Sequence, residues 1–483
     1  MISDNQFTNA LTANEAEVYI QELKKIPIEE YGYDKWMKQH EFIEKLNIQA
    51  HLNVAQQSEE FISELLVTYD KIEALIYDLL VSETWRRKVF PLIKSKITQG
   101  NSLRVYLMLY HEVTIVNLLE LVLYNKNACT SVDEKMLDLV DYCARKVTFL
   151  NTWEDDDDED DESINDINKF MERSEAEQME KTVKKQNYAI SINALSILRY
   201  MTDYITDLPL SVMTRLLNTK GNYTIFLNNK IKYIKCYYFL INSDMITALS
   251  YLIESVPWVR RTPSNKILRW EGSNWKEISK NDISKLCQVE AQIWIALYNL
   301  MVEPECRRKY AYTNHTREVI LRLRPYLTSQ LIDELPILTD LKRVLDELSI
   351  LNIPDNSVQA GLLVEQIPEM LEEIKNGKDW KKIAKKCKKE ILNDSQTNRM
   401  ELAKKLAGMY NIDQFDPLIE TPKCAKCGKP ADKRCSKCKN EWYCSRECQV
   451  RSWPAHKKIC SLVTSINDDK LKQENKSKIT VLN

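Results

Sequence analysis

The sequence predicts an all-α protein with a small metal-held module near its C-terminal end. Three observations carry this reading. Apolar residues recur at helical spacing through most of the 483 residues, period-two alternation is rare, and seven cysteines and one histidine crowd into CAKCGKPADKRCSKCKNEWYCSRECQVRSWPAHKKIC, Cys424 to Cys460.

The first helical signal runs from about Ala13 to Val147. In FISELLVTYDKIEALIYDLLVSETWRRKVF, Ile62, Leu65, Leu66, Tyr69, Ile72, Leu75, Ile76, Leu79 and Leu80 make one stripe, which predicts a single amphipathic helix with a buried face. Ser131 and Glu134 have the spacing of a capping box opening the segment VDEKMLDLVDYCARKVTFL. Further helices are expected in SINALSILRYMTDYI, QVEAQIWIALYNLMV and TDLKRVLDELSIL. One stretch departs from the pattern. Between Asn265 and Ser279, Glu271-Gly272-Ser273-Asn274 separates two short runs that each carry a tryptophan, and this predicts a β-hairpin.

The organisation that follows is an N-terminal helical region, 1–150; an acidic linker or loop, 151–188; and a second helical region, 189–420, with the hairpin at 265–279. The cysteine-rich module at 421–460 and a polar, disordered tail at 461–483 complete it. Nine consecutive acidic residues, EDDDDEDDE at 154–162, repel one another and offer nothing to bury, so a solvated loop is expected there. A docking site for a basic partner is the sharper alternative. No fixed-period repeat is visible, and an irregular bundle and an irregular α-solenoid both fit the body.

Composition excludes several function classes. There are 8 glycines, never clustered, where about 7% of residues would be usual. Loops that cradle phosphates depend on glycine, so G-x-G-x-x-G and P-loop sites are ruled out. With 68 basic and 70 acidic side chains the chain has no overall field to recruit nucleic acid or membrane. The first residues lack the basic start and apolar core of a secretory signal, and no apolar run is read as long enough to span a bilayer. A cytosolic or nuclear protein with reduced thiols is expected, and there clustered cysteines mean metal more often than disulfides.

The clustered ligands fall into four pairs: Cys424-x2-Cys427, Cys435-x2-Cys438, Cys444-x3-Cys448 and His456-x3-Cys460. A knuckle or one helical turn brings both members of such a pair onto one ion, and eight soft ligands fill two tetrahedral zinc sites. With four protein ligands each, neither site keeps a position for water or substrate. Both zinc ions are therefore structural, and they supply the folding energy that so short a segment lacks. From Thr421 to Cys460 there are eleven Lys or Arg against three Asp or Glu. Adding seven thiolates and two Zn²⁺ leaves the module net positive by about five.

This segment resembles a MYND zinc finger: C-x2-C twice, a tyrosine before the fifth cysteine, C-x3-C-Q, then W-x2-H-x3-C. The resemblance implies interleaved coordination, with Cys424, Cys427, Cys444 and Cys448 on one zinc and Cys435, Cys438, His456 and Cys460 on the other. Spacing alone leaves a sequential pairing open. It also implies a peptide-binding module for short proline-containing segments, in which Gln449 and Trp453 match the groove positions. They stand four apart and share a helix face. The plainer alternative is that Trp453 fills the module's small core.

The similarity extends into the body. WMKQHEFIEKLNIQA, ETWRRKVFP, LDLVDYCARK, ALSILRYMTD, QIWIALYNL and LVEQIPE, in that order, resemble the family of axonemal dynein preassembly factors that end in a MYND finger. That resemblance implies a cytoplasmic adaptor or co-chaperone, in dynein assembly foci or near centrosomes. Its implied partners are a leucine-rich-repeat assembly factor, Hsp90-type chaperones and co-chaperones, and dynein chains as clients.

No enzymatic reading competes. SET-domain methyltransferases also carry MYND fingers, but their fold is β-rich and depends on glycine-containing cofactor loops; the nearest motif match, NHTR at Asn314 to Arg317, lacks the following cysteine. The remaining cysteines (Cys129, Cys143, Cys236, Cys287, Cys306 and Cys387) read as buried structural thiols. His40, His51, His111 and His315 are too scattered along the chain to suggest another metal site. The alternative function is a MYND-type transcriptional corepressor or other nuclear interaction scaffold, which the basic module permits. The body, however, carries no DNA-binding motif.

Overall fold

A computed structural model describes residues 11–98, 101–153, 174–218, 244–262, 265–350 and 368–392. In the finger it describes 424–427, 429–431, 433–438, 441–454, 456, 457 and 460. The acidic run at 154–162, Cys236 and the tail after Ser461 lie outside these residues. Contacts divide the chain into a unit spanning Leu11–Asp394 and a second containing Ser395–Asn483.

Among its described residues the first unit is mostly helical. It opens with α1 (Ala13–Glu22), α2 (Asp34–Ala55), α3 (Phe61–Thr68), α4 (Ile72–Lys88) and the short α5 (Phe90–Ile93). Next come α6 (Ser102–Leu123), α7 (Lys126–Ser131), α8 (Met136–Asn151), α9 (Glu175–Asp203) and α10 (Leu210–Asn218). After α11 (Met245–Ser255), strands β1 (Val259–Arg261), β2 (Ile267–Glu271) and β3 (Asn274–Ile278) interrupt the helices. The unit ends with α12 (Gln288–Val302), α13 (Pro304–Lys309), α14 (Asn314–Leu321), α15 (Ser329–Glu334), α16 (Leu338–Ile350), α17 (Glu369–Lys375) and α18 (Trp380–Glu390).

The long stripe from Ile62 to Leu80 is two helices rather than one. Asp70 takes φ 51°, the N–H of Lys71 donates to the Leu66 carbonyl at 2.9 Å, and that of Asp70 donates to Val67 at 3.1 Å. This pair of bonds is a Schellman closure, usually made at glycine. The chain, poor in glycine, puts an aspartate there, and apolar spacing continues through the break. α4 is then buried around its whole circumference, Asp78, Ser82 and Glu83 included.

Ser131 likewise caps nothing. It closes α7, its hydroxyl donates to the Ala128 carbonyl at 2.9 Å, and α8 begins only at Met136. Capping boxes do open α1, from Thr12 and Glu15, and α9, from Ser174 and Glu177. The start of α9 falls within the stretch that composition assigned to the acidic linker.

The hairpin forms as expected, with Trp270 opposite Trp275 and both turn residues, Gly272 (φ 57°) and Ser273 (φ 69°), left-handed as a two-residue hairpin turn requires. Sequence reading missed β1, which pairs antiparallel to β2. Both tryptophans pack on Tyr188 of α9, at 5.0 and 5.4 Å between ring centroids.

α9 packs along α6, α8 and α12, and α6 packs on α2 and α4 as well. The C-terminal helices return to the start of the unit: α17 packs on α4, with Asp138 of α8 accepting from the N–H groups of Met370 and Leu371, and α18 packs on α5. One continuous core therefore runs from Leu11 to Leu392. Such returns distinguish an irregular bundle from a solenoid, in which repeats meet only their neighbours.

By length and composition α6 alone among the described helices could cross a membrane, with a mean hydropathy of 1.4. The sequence reading had found no such run. α6 is mostly buried inside the unit and carries Glu112, 1% exposed, at the centre of an ion-pair cluster. It is the bundle's core helix.

Glu112 receives Arg86 of α4 at 2.7 and 3.1 Å, and from α8 both Tyr142 at 3.0 Å and Lys146 at 2.7 Å. Lys146 also donates to Asn187 of α9 at 2.9 Å. Beside it, Arg145 grips Glu83 with its closest approach at 2.6 Å. Burial opposes the charge on Glu112, but Arg86 and Lys146 outweigh it and hold the carboxyl well below its ordinary range. Lys146 is pushed down to about 8, chiefly by burial, with Glu112 opposing the shift and Arg86 adding to it. The two shifts have different causes: cationic neighbours lower the carboxyl, whereas burial lowers the ammonium.

Removing a buried ion-pair partner typically costs about 3–5 kcal/mol, since the charges left behind lose their only compensation. Glu112→Ala should show a loss of that order in urea unfolding, whereas breaking the exposed Arg324–Asp346 pair should cost under about 1 kcal/mol. The depressed carboxyl stabilises the fold above its unfolded pKa, near 4.5. That contribution should disappear as pH falls through the lower folded value, and Glu112→Gln should flatten this part of the acid-unfolding profile.

Candidate metal centre

Each pair of ligands in the second unit is set by local backbone. Cys424 and Cys427 flank a turn closed by the Cys424 N–H on the Lys429 carbonyl at 2.7 Å, and Cys435 and Cys438 flank a similar turn. Strands β4 (Lys433–Arg434) and β5 (Trp442–Tyr443) pair antiparallel between them, so the two knuckles face Cys444 and the helix that follows. Residues 446–454 are helical, and the Ser445 hydroxyl caps that helix by accepting from the Cys448 N–H at 3.3 Å.

The ligand atoms gather into two sets: Cys424, Cys427, Cys444 and Cys448; and Cys435, Cys438, His456 and Cys460. Within each set all ligand atoms lie within 4.8 Å of one another. In the first, Cys427 Sγ is 3.4 Å from Cys444 Sγ and 3.8 Å from Cys448 Sγ. In the second, Cys435 and Cys460 are 3.8 Å apart, and His456 Nε2 is 3.4 Å from Cys438 Sγ. Four thiolates about 2.3 Å from a tetrahedral zinc would stand about 3.8 Å apart, so both sets fit the ion. The pairing is interleaved, the first and third pairs in the chain going to one ion and the second and fourth to the other. Each ion has four protein ligands, which makes both sites closed and structural.

Burial raises the thiols of Cys424 and Cys435, but neighbouring backbone N–H groups outweigh it and bring both down to about 6. Thiolates, the form that binds metal, are thereby favoured at these two positions, whereas the neighbouring Cys427 and Cys448 thiols push Cys444 up and burial pushes Cys460 up. A further group escaped sequence reading. Glu441 lies 3.0 Å from His456 Nδ1, on the ring edge opposite the ligating nitrogen, and accepts the Tyr443 hydroxyl. A carboxylate in this position orients a ligating histidine and selects its tautomer. Its signal was only that a lone acid stood two residues before the fifth cysteine's tyrosine.

Tyr443, 1% exposed, fills the finger's core together with Ala431 and the buried ligands. Trp453 is not part of that cluster: it is 37% exposed, with its ring 5.8 Å from His456 and inclined at 61° to it. Val450, 64% exposed, and the half-buried Gln449 flank it along the helix.

Elsewhere, Cys129, Cys143, Cys287, Cys306 and Cys387 are all buried and unpaired by disulfides, and burial pushes the Cys129 and Cys143 thiols up to about 12. His40 and His111, far apart in sequence, meet in the body core with Nδ1 atoms 2.9 Å apart, and His111 Nε2 lies 3.1 Å from Asp78. Facing nitrogens at that separation share a proton and leave no room for an ion between them. His51 lies on α2 and His315 on α14. Among the described residues, the two finger sets are the clusters able to hold a metal.

The family model for the MYND finger matches residues 424–460. These residues are a MYND finger. The similarity does not stop there: over 478 residues, 94% of this chain and 99% of the other, the sequence is 26% identical to the zinc finger MYND domain-containing protein 10 homolog of Drosophila melanogaster. Two other relatives match over much shorter stretches. Dauer abnormal formation protein 25 of Caenorhabditis elegans is 56% identical over 41 residues, 8% of this chain and 10% of that protein. Human Tudor domain-containing protein 1 is 44% identical over 63 residues, 13% of this chain and 5% of that protein. No solved structure matches the chain. The similarities point to a MYND zinc-finger protein and not to an enzyme family.

Structural zinc contributes on the order of 10–16 kcal/mol to a small finger, more than so small a core could replace. Native mass spectrometry should count two zinc ions on the wild-type chain and one or none on Cys444→Ser. Amide-exchange protection should vanish from 424–460 in that variant while persisting in Leu11–Asp394.

Proposed function

We propose that this chain is a non-enzymatic adaptor or co-chaperone for the cytoplasmic preassembly of axonemal dynein arms, and that it grips partner proteins partly through its MYND finger. The observation that carries this reading is the end-to-end similarity, body and finger together, to a MYND-finger relative. A short match alone extends to chains as different as the Tudor-domain protein above. The body resembles that of the dynein preassembly factors, whose role is therefore assigned here. Its partners are a leucine-rich-repeat assembly factor and Hsp90-type chaperones with their co-chaperones. Dynein chains are the clients, met in cytoplasmic assembly foci or near centrosomes.

Gln449 and Trp453 form the contact. Both lie on the metal-held helix, and the exposure of Trp453 supports a groove role over core filling. A flat aromatic on a rigid helix suits a proline-containing peptide, because the ring loses little freedom on binding.

Affinity purification from ciliating cells with the intact chain should recover dynein chains and chaperones. Recovery of neither would remove the assembly role. Trp453→Ala should weaken capture of the finger's partner on the order of 30-fold, as expected for a hot-spot tryptophan, while retaining two zinc ions. Unchanged capture of every partner would instead move the contact off Trp453. Salt-dependent binding of the chain to DNA would favour the corepressor reading.

A further inference from the structure

We propose that the lysine face of α18 is a second docking surface, separate from the finger, for an acidic peptide segment of a partner protein. Between Lys375 and Glu390 the chain carries eight lysines against two acids, Asp379 and Glu390. Three of the lysines are engaged or enclosed: Lys378 pairs with Glu29 at 2.7 Å, Lys386 lies 4.3 Å over the ring of Tyr33, and Lys375 is half-buried. The other five, Lys381, Lys382, Lys385, Lys388 and Lys389, have no ion-pair or hydrogen-bond partner through their ammonium groups among the described residues. All but the half-buried Lys388 are exposed.

The acids of the segment are directed elsewhere. Asp379 caps the helix, accepting from the backbone of Lys381 and Lys382 at 3.0 and 3.1 Å, and Glu390 lies beside Tyr33. Like charges at i,i+4, here Lys381 with Lys385 and Lys385 with Lys389, each destabilise a helix. The uncompensated face therefore stands at a cost that an acidic partner would relieve.

The fold selects the kind of partner. The apolar face of α18, Ala384 and Cys387, is buried in the bundle against α5, so the helix cannot lay that face into a bilayer. The lysine face has no arginine and no exposed aromatic on which a base could stack. Lys381, Lys385 and Lys389 repeat every four residues, roughly 6 Å of rise. Alternate carboxylates of an extended strand repeat at about 6.8 Å, close enough for flexible lysines to follow.

The test uses the full-length chain and a fluorescein-labelled peptide of alternating Glu and Asp, read by anisotropy at about 0.15 M salt. Replacing Lys381, Lys382, Lys385, Lys388 and Lys389 with Gln should weaken binding about tenfold or more. Replacing Lys24, Lys35, Lys126, Lys280 and Lys342, also five exposed lysines, should leave it within about twofold, with helicity unchanged in both variants. Equal losses in both variants, or no binding by wild type, would overturn the proposal. So would preferential binding of oligouridylate, or of vesicles of equal phosphatidylserine and phosphatidylcholine. If wild type bound only after residues 154–162 were replaced with serine, the chain's own acidic run would be the occupant and the partner assignment would fall.

Discussion

The carboxylate of Glu112 joins four helices of the body at one point: α6, which bears it; α4 through Arg86; α8 through Tyr142 and Lys146; and α9 through Lys146 and Asn187. A charge buried this deeply persists only when its partners are in place, so the axial rotation of these helices is not free. Apolar contacts tolerate sliding, whereas a carboxylate that must receive three donors does not. A second polar layer, Asp78 with Gln39 and His111, and His111 with His40, ties α2 to the same frame. The late helices α17 and α18 then close over α4 and α5.

The finger is held by other physics. Its buried cluster is a handful of residues, most of them ligands, so metal coordination takes the place that apolar burial occupies in the body. Closed coordination also decides how the finger can act. With both ions fully ligated by protein, what remains for a partner is the outward side of the helix at 446–454, where Trp453 and Val450 are exposed. Glu441 stands against both the ligating His456 and the core tyrosine Tyr443.

Much of the fold was legible because helical periodicity survives without glycine. α12 and α16 fall where the apolar spacing placed them, and the hairpin turn lies on its Gly272–Ser273 pair. The two misplaced helix boundaries have one cause. Asp70 at φ 51° ends α3, and Asp133 at φ 54° separates Ser131 from the helix it was expected to cap. In a chain so poor in glycine these left-handed positions fall to residues that carry no breaker signal. β1 was missed because three half-exposed residues show no alternation long enough to read.

The sequence by itself determined the ligand types, their number and their closed stoichiometry, because metal chemistry depends on which donor atoms are spaced within a turn of one another. It also determined the helical class, since burial periodicity is a local property of the chain. Only the tertiary structure decided that the ligand pairs interleave, that Tyr443 and not Trp453 fills the finger's core, and that scattered His40 and His111 meet. Each depends on residues brought together across long separations, where spacing along the chain carries no information about distance. The same holds for the lysines of α18: the sequence shows their charge, but only packing shows that the apolar side of the helix is occupied within the bundle.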